Sequence, residues 1–207
     1  MADSKDLIGK IMQLLHAIAI DRKAGVPPFR CHKGHWPGPP SCTGTISVHK
    51  EKFGLALHDG KDDGQAVYVS EKMAKFLNRY VLYPDSVTPT WTRQDLEKDL
   101  KDLVLSRASG ESFFQCHKGH WPGPPSCLGP VTIHKDNYGI ALYHGTHDWE
   151  AVYVSEKMAN LLAELRVLYD RFVDLKNQEF KAFASRASEK ASEGMFVRLP
   201  RSPMGVE

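Results

Sequence analysis

The chain has 207 residues, 42% of them hydrophobic and 25% charged, the proportions of a globular protein with enough material for one or two cored domains. Lys and Arg number 27 against 25 Asp and Glu, so the formal charge of +2 neither requires nor excludes nucleic acid. No apolar run approaches the roughly 18 residues of a membrane span, and MADSKDLIGK lacks the basic and apolar regions of a signal peptide. No membrane association is expected, and the location is expected to be cytoplasmic or nuclear.

The first predicted element is a helix, because Leu7, Ile11, Leu14, Leu15 and Ile18 recur at three- and four-residue spacing and make one apolar stripe. Gly25 followed by Val-Pro-Pro stops it. A loop then carries CHKGHWPGPPSC over 31–42. Three short strands follow: TISVH (45–49), FGLAL (53–57) and AVYV (66–69), the last two separated by the turn signal DGKDDG. Ser70 caps the next helix, with Glu71 placed against its N-terminal dipole. PDSVTPT (84–90) reads as a linker.

From there the order repeats. Sliding the sequence by 85 residues lays 29–77 over 114–162 without a gap, with 31 identities in 49 positions. CHKGHWPGPPSC returns unchanged at 116–127. Upstream, Ile11, Leu15 and Ile18 lie over Leu96, Leu100 and Leu103, where Thr92 and Asp95 resemble a capping box. The second unit's last helix is longer. Met158, Leu161, Leu162, Leu165, Leu168, Phe172, Leu175, Phe180 and Phe183 carry its stripe to about residue 188, to brace both repeats or to form a seam between copies. The expected architecture is α+β: a tandem pseudo-symmetric repeat, each unit a helix, a Cys/His/Pro loop, a three-stranded antiparallel meander and a helix. The boundaries are 1–83 for unit 1, 84–90 for the linker, 91–188 for unit 2 with the extended helix, and 189–207 for a disordered tail.

All four cysteines sit in the two identical blocks. In a reducing compartment, cysteines with nearby histidines favour metal over disulfide. Two thiolates and two imidazoles suit tetrahedral zinc better than magnesium or calcium. The expected ligands are Cys31, His35, Cys42 and His49 in one unit and Cys116, His120, Cys127 and His134 in the other, two zinc ions per chain. His32 and His117 are further ligand candidates, although adjacent side chains rarely bind one ion together. The spacing C-x3-H-x6-C-x6-H is not a common finger pattern. A disulfide closing each ten-residue loop, adding roughly 2–3 kcal/mol, and reduced thiols buried as small hydrophobes remain open.

Trp36 and Trp121 each precede Pro-Gly-Pro-Pro, a stiff segment that loses little entropy on ordering and so makes a good anchor. Trp36, Pro37, Trp121 and Pro122 are read as partner-binding; the alternative is that each Trp lids its own loop. A non-enzymatic binding or scaffold protein follows, its partner another protein or a second copy of itself, with two equivalent loops giving bivalency. An RNA- or single-stranded-DNA-binding zinc protein is the first alternative. The loop region 26–52 has a basic excess of +3 but 111–137 has none, which a shared phosphate surface should not show. A zinc-dependent hydrolase is the second, using three ligands and a water. No HExxH, GxSxG or phosphate-binding loop occurs, and no catalytic residue is assigned.

Overall fold

The computed structural model describes residues 2–31, 46–51, 54–58, 67–82, 90–116, 131–136, 139–143 and 152–192. These form an α+β structure in which four α-helices pack on two four-stranded antiparallel sheets. Helix α1 spans Ala2–Lys23 and buries Leu7, Ile11, Leu15 and Ile18, the expected stripe. It ends where the backbone needs a left-handed residue. Gly25 takes φ +84°, its N–H donates to the Arg22 carbonyl (3.0 Å), and the Val26 N–H donates to the Asp21 carbonyl (2.8 Å). Strand β1, Phe29–Cys31, follows.

Strands β2 (Ser47–Glu51), β3 (Gly54–His58) and β4 (Val67–Val69) come next, then helix α2 (Glu71–Leu77), which continues as a π-helical segment over Asn78–Leu82. Ser70 caps α2 as expected, its hydroxyl accepting from the Met73 N–H at 3.2 Å. Helix α3, Arg93–Ala108, opens on the expected capping box. The Thr92 hydroxyl accepts from the Asp95 N–H, and the Asp95 carboxylate accepts from the Thr92 N–H at 2.8 Å. Strands β5 (Phe114–Cys116), β6 (Thr132–Asp136), β7 (Gly139–Tyr143) and β8 (Val152–Val154) lead to helix α4, Glu156–Ser192.

Strands β1 and β5 were not expected from the sequence, where both lay in or before the Cys block. Their pairing crosses the sequence repeats. One sheet has the order β2-β3-β4-β5 and the other β1-β8-β7-β6. The first-repeat strand β1 lies antiparallel to second-repeat β8, with Phe29 opposite Val154. The second-repeat strand β5 lies antiparallel to first-repeat β4, with Phe114 opposite Val69. Bonds beyond the ladders follow the same exchange: Ser70 N–H donates to the Phe113 carbonyl (3.1 Å) and Ser155 N–H to the Pro28 carbonyl (3.0 Å). Helix packing crosses too, with α1 against α4 and α2 against α3. The sheets therefore do not divide at 84–90, a linker whose residues 84–89 lie outside the described set.

Strands β1 and β5 are three residues each. A three-residue strand cannot stand alone, so each needs a partner ladder. Each gains a full ladder, and a buried Phe, on the other sheet. One continuous core results, joining Leu7, Ile11 and Phe29 to Leu142, Val154 and Leu165, and Leu57, Val67 and Met73 to Leu96, Leu100 and Phe114. Helix α4 packs against both α1 and α3. At about 1.5 Å per residue its 37 residues run to roughly 55 Å, and beyond Leu168 its stripe emerges, with Leu175 and Phe183 exposed. The tail expected from residue 189 lies outside the described residues after Ser192. Among the described residues, no helix is long and apolar enough to cross a membrane.

A polar network ties the π-helical segment to α3. Arg79 donates to Asp99 at 2.9 Å and pairs with Asp95 at 3.3 Å, and the Tyr80 hydroxyl donates to Asp99 at 2.9 Å. Burial first, then that hydrogen bond, push the Tyr80 phenol well above its ordinary range. The Tyr80 ring meets Trp91 edge-on at 5.2 Å, and Trp91 stacks on His16 of α1 at 5.6 Å.

Candidate functional site

Strand alternation sorts the sheet residues into a core face and an opposite face. Leu57, Val67, Val69 and Phe114 turn to the core; Ala56 and Tyr68 form a separate small cluster on the other side. The register aligns His49 with Ala56, Tyr68 and Gln115 on that side, and Ser47 with His58 one step along. In the second sheet His134 aligns with Ala141, Tyr153 and Arg30, and Thr132 with Tyr143. Each opposite face therefore carries a histidine on its outermost strand, a hydroxyl residue two positions before it and a buried tyrosine.

The geometry is the same in both. Ser47 Oγ lies 2.6 Å from His49 Nε2, and Thr132 Oγ1 lies 2.7 Å from His134 Nε2. The His49 ring lies against His58 with centroids 4.3 Å apart at 32°; the His134 ring lies against Tyr143 at 4.2 Å and 32°. What the sequence makes a mismatch, His58 against Tyr143, the structure uses as one ring position. The pairing needs a flat ring, which either residue supplies; His58 is 5% exposed. Gly54 and Gly139 hold φ of +144° and +142°, and a Cβ on either would sit 3.5 Å from the Tyr68 or Tyr153 ring. A glycine beneath a tyrosine keeps the ring flat on the strand, at a backbone conformation other residues resist.

Each hydroxyl holds its imidazole in one orientation against the neighbouring ring. Cys31 and Cys116 are the last residues of β1 and β5, opposite Val152 and Val67. Both strands are sheet edges. Cys31 and His49 belong to different sheets. Cys31 shares its sheet with His134, but at the opposite edge, three strand spacings or roughly 14 Å away. One ion cannot reach both at bond lengths near 2.3 Å to sulfur and 2.1 Å to nitrogen. A ligand set holding Cys31 and His49 must be gathered by the segment between them. That segment carries His32, His35, Trp36, Pro37 and Cys42, and its counterpart carries His117, His120, Trp121, Pro122 and Cys127. All ten lie outside the described residues. Among the described residues, no group of three or more His, Cys, Asp or Glu comes together.

Sequence reasoning singled out His49 and His134 but passed over Ser47, Thr132, Tyr68 and Tyr153. The signal was present: all recur at the 85-residue offset with the strand parity of the histidine. No family model, curated protein or solved structure matches this chain.

Proposed function

We propose that this chain is a non-catalytic binding protein, a tandem pseudo-symmetric pair whose two Cys/His loops are closed by structural zinc and present Trp36-Pro37 and Trp121-Pro122 to a protein partner. The observation that carries it is the identity of CHKGHWPGPPSC in both copies, joined to its place in the topology. Residues 32–45 leave the β1 edge of one sheet at Cys31 and enter β2 of the other; residues 117–130 make the reverse passage from Cys116 to β6. Both blocks are thus the connections across which the strands are exchanged. A long connection pays a closure entropy that a metal cross-link offsets.

Cys31, His35, Cys42 and His49 supply one tetrahedral set, and Cys116, His120, Cys127 and His134 the other. Soft thiolate and imidazole donors select zinc, in a reducing compartment. Two rigid Trp-Pro loops on one chain engage a partner bivalently, raising avidity without a new contact. The test is a thermal melt of the full chain with and without a strong chelator. Removal of zinc should lower the Tm and its return restore it, while Cys42→Ser and Cys127→Ser should each show part of the drop. A melt indifferent to the chelator in untreated protein would overturn the structural-zinc reading.

A further inference from the structure

We infer that the chain holds a separate binding site for a small amphipathic carboxylate, in a cavity between α3, β5, β6 and α4. The cavity measures about 270 Å³, just under the roughly 300–1,000 Å³ of typical small-molecule sites. Phe113, Phe114, Val131 and Leu162 line it with apolar surface. The charged side chains among its described lining are of one sign. Arg107 and Arg166 both reach it, and no carboxylate is among the described residues that line it.

The two guanidiniums differ in availability. Arg166 is engaged by Asp170 at 2.9 and 3.1 Å. Arg107 lies over the Tyr169 ring at 5.4 Å, and among the described residues no carboxylate pairs with it. A half-buried guanidinium beside an apolar cavity is the group that binds a carboxylate through two parallel N–H donors. The ligand class follows from the pair of features: an apolar body for the Phe and Leu surface, and one anionic end for Arg107.

The residues lining the cavity all come from the second repeat. At the aligned positions 85 residues earlier, Phe29, Leu57 and Leu77 are 0% exposed and Ile46 1%. At the last of these the second copy has the smaller Val131, which is only partly buried. Ala163 replaces Asn78, Arg166 replaces Val81, and Tyr169 stands where the first copy has Pro84. A charge is thus gained on the α4 wall at Arg166, while Arg107 keeps the arginine the first repeat has at Arg22. The wall is held in place by the Val131 N–H donating to the Phe114 carbonyl at 3.3 Å. None of these residues is a proposed zinc ligand, so the site stands or falls apart from the loops.

The test is titration calorimetry of the full chain with octanoate, octanol and octylamine. One octanoate should bind per chain. Octanol should bind at least about tenfold more weakly, the worth of a charge-assisted hydrogen bond, and octylamine more weakly still. Arg107→Gln should bring octanoate down to the affinity of octanol. Ala163→Phe, a substitution at an exposed helix position on the cavity rim, should abolish binding with circular dichroism unchanged. Equal binding of octanoate and octanol, preference for octylamine, no saturable binding of any, or full octanoate affinity in either variant would overturn the inference.

Discussion

Replacing Phe29 with alanine tests the exchanged strand. Phe29 is a first-repeat residue with 0% exposure, packed in the common core and paired opposite Val154 of the second repeat. Truncating a buried Phe costs about 3–5 kcal/mol, a transfer term plus a cavity the fold cannot fully close. Against total stabilities of about 5–15 kcal/mol that is about a fifth of the whole or more. With a urea slope of about 2 kcal/mol per molar, the midpoint should fall by about 2 M. The location of the damage is the sharper test. Under native conditions, hydrogen exchange should show the amides of Val152–Val154 and Ser155 losing protection ahead of those of Val67–Val69, because β1 ladders with β8 and Ser155 donates to Pro28. Phe114→Ala should show the reverse order, since β5 pairs with β4. A midpoint shift worth less than about 1 kcal/mol, or protection lost first from β4 in the Phe29 variant, would refute the exchange.

Three further outcomes follow from named contacts. Lys157 Nζ lies 2.6 Å from Asp21 Oδ1, whereas a repeat folded on itself would offer Asp21 the equivalent Lys72; zero-length carbodiimide coupling and peptide mapping should return Asp21–Lys157 and not Asp21–Lys72. Tyr80→Phe should cost roughly 1–2 kcal/mol in urea unfolding, the loss of one hydrogen bond to a carboxylate that keeps Arg79. Because the folded phenol titrates above its unfolded value near 10, that contribution is complete below about pH 10 and is lost as pH rises through the folded value; ultraviolet titration should show Tyr80 resisting ionisation, and ionisation at its ordinary pH would contradict the network. Asp95 is held below the usual carboxylate range by the Thr92 N–H, the Thr92 hydroxyl and Arg79. Its contribution is present above about pH 3.9 and is lost as pH falls through the lower folded value, so Thr92→Ala should reduce the acid-dependence of the urea midpoint.

Much of the fold was legible in the residues. The stripe Leu7–Ile11–Leu15–Ile18 made α1, Thr92 and Asp95 made the cap of α3, and the α+β class followed from alternating strands between helices. The meander strands were read within two residues of where they lie. What local pattern could not convey was β1 and β5. Phe-Arg-Cys and Phe-Gln-Cys are too short to alternate, and the partner of Phe29 is Val154, far along the chain. The exchange is a decision of the core, not of local propensity. Periodicity likewise found His49 and His134 on strands but not the hydroxyl beside each ring. A pair at i and i+2 on one face is visible only once the face is known. The π-helical segment at Asn78–Leu82, where the aligned α4 continues as regular helix, had no sequence signal either.

The central claim is that the two identical blocks are metal sites. Elemental mass spectrometry on untagged, natively purified chain, with a free-thiol count on the same sample, tests it most directly. The account predicts about two zinc ions per chain, with all four cysteines reacting with a thiol reagent only after chelation. A chain free of zinc, its cysteines either all reactive at once or all paired in disulfides, would contradict it.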